Sequence, residues 1–136
     1  PYVMTSKVHD TADGGTGGDV VQLIDVPADT MIVSGVLEVL EARGNTDITL
    51  DIGFTGGDVD CFVDGSVCAA GFTPFLEAAV GASGANARML TSADTIDALI
   101  LDGGSTGESA LRFRIHVVLA DVSKNPVETA TVSTGT

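Results

Sequence analysis

The sequence predicts an all-β domain, an antiparallel β-sandwich for which a jelly roll is one candidate topology. Two segments, residues 46–54 and 110–120, alternate between apolar and polar side chains, which is the pattern of a half-buried strand. Glycine (17 residues), asparagine and aspartate separate these segments from further apolar stretches, as turns separate strands. With 44% hydrophobic residues, a chain of 136 residues can build one buried core.

Five strands are predicted along the chain. The segments 20–26, 31–42 and 95–101 carry valine, isoleucine or leucine on both faces, so at least part of each strand should be covered twice. The segments 46–54 and 110–120 each turn one apolar face toward the core. In the last strand, this face consists of Leu111, Phe113, Ile115, Val117 and Leu119.

Short turn sequences between these strands predict two β-hairpins. Residues 43–46, Arg-Gly-Asn-Thr, are expected to close a hairpin over residues 31–54. Residues 102–107, Asp-Gly-Gly-Ser-Thr-Gly, are expected to join the two strands within residues 95–120 in the same way.

One short helical insertion is predicted over residues 58–71. Aspartates open this segment, apolar residues follow and Gly71 closes it, which is the order of a helix with an acidic N-terminus and a glycine stop. Gly65 within the segment disfavours a helix. The insertion leaves the predicted class as all-β.

The chain is predicted to comprise an N-terminal arm (residues 1–19), a β-sandwich domain (residues 20–122) and a C-terminal arm (residues 123–136). Glycine, threonine and aspartate dominate residues 10–19, and threonine and serine dominate the end of the chain. Such segments bury little apolar surface by themselves. We therefore expect a neighbouring chain to order these extended arms, which makes the protein a subunit of an assembly.

The charge of the chain excludes several classes of partner. Nineteen acidic residues against six basic ones give a formal net charge of -13, which disfavours direct binding to nucleic acid. No apolar run approaches the ~18 residues of a membrane-spanning helix. The first residues lack the basic and apolar regions of a secretory signal. The sequence predicts synthesis in the cytoplasm, no membrane partner and no cofactor.

Cys61 and Cys68 are predicted to be buried and reduced. On a helix their Cα atoms would lie about 10 Å apart, which is beyond the reach of a disulfide. A disulfide within a looped segment is the alternative.

Two short motifs match known functional sites, but neither has the structural context that its site requires. Ser105 lies in a G-x-S-x-G sequence, but a strand follows it where the nucleophile elbow of serine hydrolases needs a helix. Residues 14–22 match one copy of a calcium-binding nonapeptide, whereas such sites form between stacked repeats. We therefore predict a protein that is not an enzyme.

Asp58, Asp60 and Asp64 are the weak candidates for a metal site, since their oxygens could bind calcium. An EF-hand loop starting at Asp58 would need glycine and glutamate where the chain has Val63 and Ala69. Solvated aspartates at the start of a helix are the favoured interpretation.

Three basic side chains, Arg112, Arg114 and His116, share the polar face of the strand 110–120. Pairing with carboxylates of a neighbouring strand is the favoured interpretation, and an acidic partner surface is the alternative. The candidate carboxylates are Glu38, Glu41, Asp47 and Asp51. His9, in the N-terminal arm, is predicted to be solvated.

Four segments resemble small virion structural proteins of tailed bacteriophages. In residues 26–39, a Pro-Ala-x-Thr sequence leads into a valine-rich strand, and residues 49–53 form a strand that ends in glycine. Residues 90–100 and 113–122 are similar to the same group. The resemblance extends over residues 20–123 and includes no invariant chemical residue.

The resemblance implies a head decoration (cement) protein at the virion surface, a homotrimer bound to the major capsid protein. A tail or head–tail component is the nearest alternative. Two alternatives from other functional classes are a calcium-dependent binding module and an esterase centred on Ser105. Because an extended strand can add to a neighbour's sheet edge, the arms and the basic row are expected to form the interface. The interface candidates are Tyr2, Val3, Met4, Lys7, Arg112, Arg114, His116, Lys124, Val127 and Val132.

Overall fold

The computed structural model describes residues 1–11, 18–44, 48–66, 69–76, 88–102 and 109–123. Within these ranges the chain forms ten strands and no helix, which confirms the predicted all-β sandwich class. The strands are β1 (Tyr2–Thr5), β2 (His9–Asp10), β3 (Val20–Val26), β4 (Thr30–Gly44), β5 (Ile48–Gly53), β6 (Val63–Ser66), β7 (Gly71–Pro74), β8 (Met89–Leu90), β9 (Asp94–Asp102) and β10 (Ser109–Asp121). No helix in the described part of the chain is long and apolar enough to cross a membrane.

The strands form two antiparallel sheets. The first sheet has the order β1-β10-β4-β7, with β2 also paired to β10 and β8 also paired to β4. The second sheet has the order β3-β9-β5-β6. The long pair β10–β4 extends through the whole first sheet, from Ser109 opposite Gly44 to Asp121 opposite Thr30.

The core lies between the two sheets and consists of the apolar side chains that their strands turn inward. On β10, the five residues predicted to face inward are all buried, as the period of two requires. The second sheet contributes the central strands β5 and β9. Its fully buried side chains include Leu50, Ile52, Ile96, Ala98 and Ile100.

The two predicted hairpins are wrong. All four of their strands exist, but the two strands of each predicted hairpin lie in different sheets. β4 pairs with β10, β7 and β8 in the first sheet, while β5 pairs with β6 and β9 in the second. Likewise β9 and β10 belong to different sheets. A short turn sequence signals that the chain reverses, but it does not determine which sheet receives the next strand. The strands on the two sides of each turn sequence therefore belong to different sheets.

The predicted helix over residues 58–71 is also wrong for the described residues of that range. Residues 58–62 form turns, and β6 pairs with β5 at the edge of the second sheet. Gly65 lies at a φ of 65°, which breaks a right-handed helix, and its N–H donates to the Asp51 carboxylate at 2.7 Å. The consecutive residues Cys61, Phe62 and Val63 are all buried, which one helix face could not achieve.

Three phenylalanines fill the core where this segment crosses it. Phe62 stacks on Phe75 with ring centroids 4.9 Å apart, and it meets Phe54 edge-on at 5.4 Å. Backbone hydrogen bonds hold the segment to both sides: Phe62 N–H donates to the carbonyl of Ile52, and Leu76 N–H donates to that of Phe62, both at 2.9 Å. The segment around Phe62 is therefore buried by aromatic packing and not as one face of a helix.

Candidate interaction surface

The outer face of the first sheet carries six charged residues, here called the charged row. Because the odd-numbered residues of β10 point into the core, the even-numbered ones point outward. Strand β4 lies on one side of β10, and β2 lies on the other. The charged row consists of Asp10, Glu38, Glu41, Arg112, Arg114 and His116.

Glu38 is the centre of the charged row. Arg114 Nε donates to Glu38 Oε1 at 2.7 Å, and His116 Nε2 lies 2.8 Å from the same oxygen. The hydrogen bonds from His116 and Arg114 lower the pKa of Glu38 below its usual value. The hydroxyl of Thr5 lies 2.9 Å from His116 Nδ1, which links β1 to this network.

The favoured prediction of intramolecular pairing is confirmed for Glu38 and Glu41. Arg112 Nη1 lies 3.7 Å from Glu41 Oε2, and its Nε lies 4.0 Å from Asp10 Oδ2. Asp51 is not a partner of the row, because it lies in the second sheet, where burial raises its pKa. Asp47 lies outside the described residues.

Beside the charged row, the same face carries six apolar side chains, here called the apolar band. Val3 on β1 lies opposite Val118, and Val36 lies opposite His116. The band continues to both margins of the sheet through β7 and β8. It consists of Val3, Met31, Val36, Phe72, Met89 and Val118. A shallow groove of about 210 Å³ runs between the central members of the band.

Sequence reasoning missed most of the apolar band. Phe72 and Met89 lie on strands of four and two residues, which are too short to show a period. Val36 could have been found, because it shares a β4 face with Glu38. Val3 was selected as part of an arm and not as part of a sheet face.

The N-terminal interface candidates lie in a strand of their own chain. Tyr2, Val3 and Met4 form β1, which pairs with β10, and Lys7 is exposed just after it. Two buried hydroxyls extend the attachment: Ser6 Oγ accepts from Ile115 N–H at 2.9 Å, and Thr11 Oγ1 accepts from Leu111 N–H at 2.8 Å.

His9 is packed and not simply solvated, so that prediction is wrong. β2 pairs His9 directly with Phe113, and the two rings meet edge-on with centroids 5.6 Å apart. The side chain is consequently half-buried. Lys124, Val127 and Val132 lie outside the described residues, as does Ser105.

The three aspartates considered for calcium surround the turn before β6. Asp60 N–H donates to Asp58 Oδ1 at 3.3 Å. A hydrogen bond with the Asp58 carboxyl, together with partial burial and nearby aspartates, raises the pKa of Asp60 to about 6. Among the side chains that the structure describes, no group of three or more histidines, cysteines, aspartates or glutamates is arranged to hold a metal ion.

Cys61 is a buried free thiol, as predicted. Burial raises its pKa to about 12, because the surroundings disfavour the thiolate, and the nearby Asp58 charge adds to the effect. Cys68 lies outside the described residues.

The fold is similar to chains in three bacteriophage capsid structures. In the capsid of Ralstonia phage GP4, a chain with 18% identity aligns with a TM-score of 0.58 over 88% of this chain and 84% of that one. In the cyanophage Pam1 capsid asymmetric unit, the identity is 13% and the TM-score 0.54, over 85% of this chain and 83% of that one.

The third similar structure is the acidic stable capsid of Helicobacter pylori bacteriophage KHP30. Its chain has 13% identity and a TM-score of 0.51, with 88% of this chain and 94% of that one covered. No family model and no curated protein matches the sequence. The chain therefore shares its fold, nearly from end to end, with proteins found in phage capsids.

Proposed function

We propose that this chain is a structural protein of a tailed-phage virion, a decoration (cement) protein that docks on the major capsid protein at the outer capsid surface. The observation that carries the proposal is the fold similarity, which covers 83–94% of the capsid chains. Such coverage concerns the whole sandwich and not a local motif. The resemblance of the sequence to small virion proteins supports the same class independently.

The charge of the chain suits this role. A protein with a net charge of -13 is soluble before assembly and is repelled by packaged DNA. Its contacts with other subunits of an assembly must then come from apolar surface and from locally neutral regions. The outer face of the first sheet offers both, since the charged row is internally paired and four of the six members of the apolar band are exposed.

The proposed role is non-enzymatic, although three hydrogen-bonded side chains have the same order of groups as a catalytic site. Thr5, His116 and Glu38 are linked in the sequence hydroxyl, imidazole and carboxylate that activates a nucleophile. However, Arg114 holds the same oxygen of Glu38 that His116 contacts, which weakens the carboxylate's support for an imidazolium. The adjoining groove is shallow, so water is not excluded from it.

The proposed interface comprises the candidates of the two arms and the basic row, with three copies of the chain forming a homotrimer. Multivalent attachment of a trimer would retain each subunit even where one contact is weak. Synthesis in the host cytoplasm precedes docking. A tail or head–tail position is the alternative within the same virion class.

The decisive experiment is immunogold electron microscopy of particles from the source, with an antibody against this chain. Label spread evenly over the head is the expected result. Label confined to the tail or vertex would retain a virion role and overturn decoration, whereas unlabelled particles would overturn both.

Binding in solution gives a second test that allows variants. Purified chain is added to particles that lack it, and occupancy is measured by gel densitometry after sedimentation. Lys7→Glu should lower occupancy, because Lys7 is an exposed interface candidate. The control is Asp25→Lys, which changes the net charge by the same amount in the opposite direction. Asp25 is exposed on β3 of the second sheet, and the occupancy of this variant should match that of the wild type.

A further inference from the structure

The apolar band has members on both edge strands of the path β1-β10-β4-β7 in the first sheet and between them. Val3 and Phe72, on the edge strands β1 and β7, are each 68% exposed, and Met31 and Met89 are exposed between β4 and β8. Val3 lies at the level of Val118, and Phe72 lies at the level of Arg114. Three strand spacings and an offset of four residues along β10 therefore separate Val3 and Phe72 by roughly 20 Å. Contiguous exposed apolar surface of this kind marks an interaction site on a soluble protein.

The charges of the same face are almost balanced. Two arginines and three carboxylates give the charged row a formal charge of -1, with His116 neutral, which leaves -12 on the rest of the chain. Two copies of an acidic protein repel each other least where their charges are locally paired. A basic partner would instead be attracted to the remaining surface. Repulsion between two copies of this acidic chain is therefore smallest at this face.

The face is large enough for a stable contact. β4 and β10 contain 15 and 13 residues, so at about 3.3 Å per residue they extend over roughly 40 Å. Four strands side by side add a width of about 20 Å, which bounds the face at roughly 800 Å². One partner of a standard protein interface buries an area of the same order.

We propose that the outer face of the first sheet is the contact between copies of this chain, and that this contact includes both the apolar band and the charged row. The inference rests on the proposed function only for its biological setting. The occupant is a second copy, because that partner matches the face in both charge and size.

The test measures the mass of the purified chain by sedimentation velocity across concentration, in 0.05 M and 0.5 M NaCl. The wild type should sediment as a multiple of 13.7 kDa, with tighter association at high salt, because salt screens the repulsion between copies. The variants Val3→Glu and Phe72→Glu should each weaken association at least tenfold. Both positions are exposed, so the fold should tolerate the change.

Val20→Glu is the matched control. Val20 is 44% exposed on β3, in the second sheet, and this variant should associate like the wild type. A wild type that stays monomeric under all conditions would overturn the inference, as would association that Val3→Glu and Phe72→Glu leave unchanged. A monomer that still binds particles would overturn this contact between copies and leave the proposed function standing.

Discussion

His116 on β10 and Glu38 on β4 form a hydrogen bond of 2.8 Å across the central strand pair of the first sheet. Arg114 shares the same carboxylate oxygen, so one acceptor ties two positions of β10 to β4. The bond also explains why a row of basic residues on an acidic protein need not await an acidic partner. The apolar band beside this row contributes exposed apolar side chains to the same face.

Replacing Glu38 by glutamine should lower stability in a pH-dependent way. Hydrogen bonds from His116 and Arg114 lower the folded-state pKa of Glu38 below its usual 4.5. The resulting stabilisation is fully present above pH 4.5 and is lost as the pH falls through the lower folded-state pKa. Urea unfolding of wild type and Glu38→Gln should therefore differ at pH 7, and the difference should shrink as the pH falls through the folded-state pKa.

Glu41→Gln is the control for this comparison. Glu41 meets Arg112 at 3.7 Å with both side chains about 45% exposed, and such pairs contribute about 0–1 kcal/mol. Its effect at pH 7 should be the smaller of the two. Equal effects of the two substitutions would show that the shared acceptor has no special role.

Replacing Asp60 by asparagine should raise stability, whereas replacing Glu38 by glutamine should lower it. A hydrogen bond with Asp58 raises the folded-state pKa of Asp60 from 3.8 to about 6. The folded state thus binds this proton more tightly than the unfolded state, so its contribution to stability grows as the pH falls from 7 toward 4. Asp60→Asn should raise the melting temperature at pH 7, and the gain should shrink by pH 4. A variant that is less stable than wild type at pH 7 would contradict this.

Where a strand has a strict alternation, the sequence predicted its position and its buried face. The strand predicted over residues 46–54 contains β5, and the one predicted over residues 110–120 is one residue shorter than β10 at each end. Alternation suffices there because burial on one face determines the register. The partners of each strand could not be predicted, since pairing across two sheets depends on contacts between segments far apart in the chain.

The interaction surface was less accessible from the sequence than the strands. Arg114 and its partner Glu38 were both identified, because each lies in a long strand with a readable polar face. Phe72 was not, because β7 has four residues and its exposure depends on being at the edge of the sheet. A surface assembled from short edge strands becomes visible only once the register of those strands is known.

Gly53 should not tolerate a side chain. A Cβ atom at this position would lie 2.4 Å from the carbonyl oxygen of Asp58 and 2.6 Å from the carbonyl carbon of Val59. Both are backbone atoms of the turn after β5, so the turn itself must move, and Gly53→Ala should cost about 1–3 kcal/mol in the free energy of unfolding. Urea unfolding measures this cost.

Gly56→Ala provides the comparison in the same turn. A Cβ atom there would meet nothing within 4 Å, so its effect should stay within about 0.5 kcal/mol. Similar unfolding midpoints for the two alanine variants would mean that the turn adjusts freely, contrary to the close packing at Gly53.

Cys61 should resist alkylation as long as the protein is folded. Its thiol is buried and has its pKa raised to about 12, so at pH 8 only about one molecule in 10⁴ carries the reactive thiolate. Iodoacetamide treatment followed by peptide mass spectrometry should find Cys61 unmodified in native buffer and fully modified in 8 M urea. Native labelling of Cys61 at the rate of the unfolded chain would show that the segment between β5 and β6 opens readily, in which case the packing of Phe62 between Phe54 and Phe75 does not hold it closed.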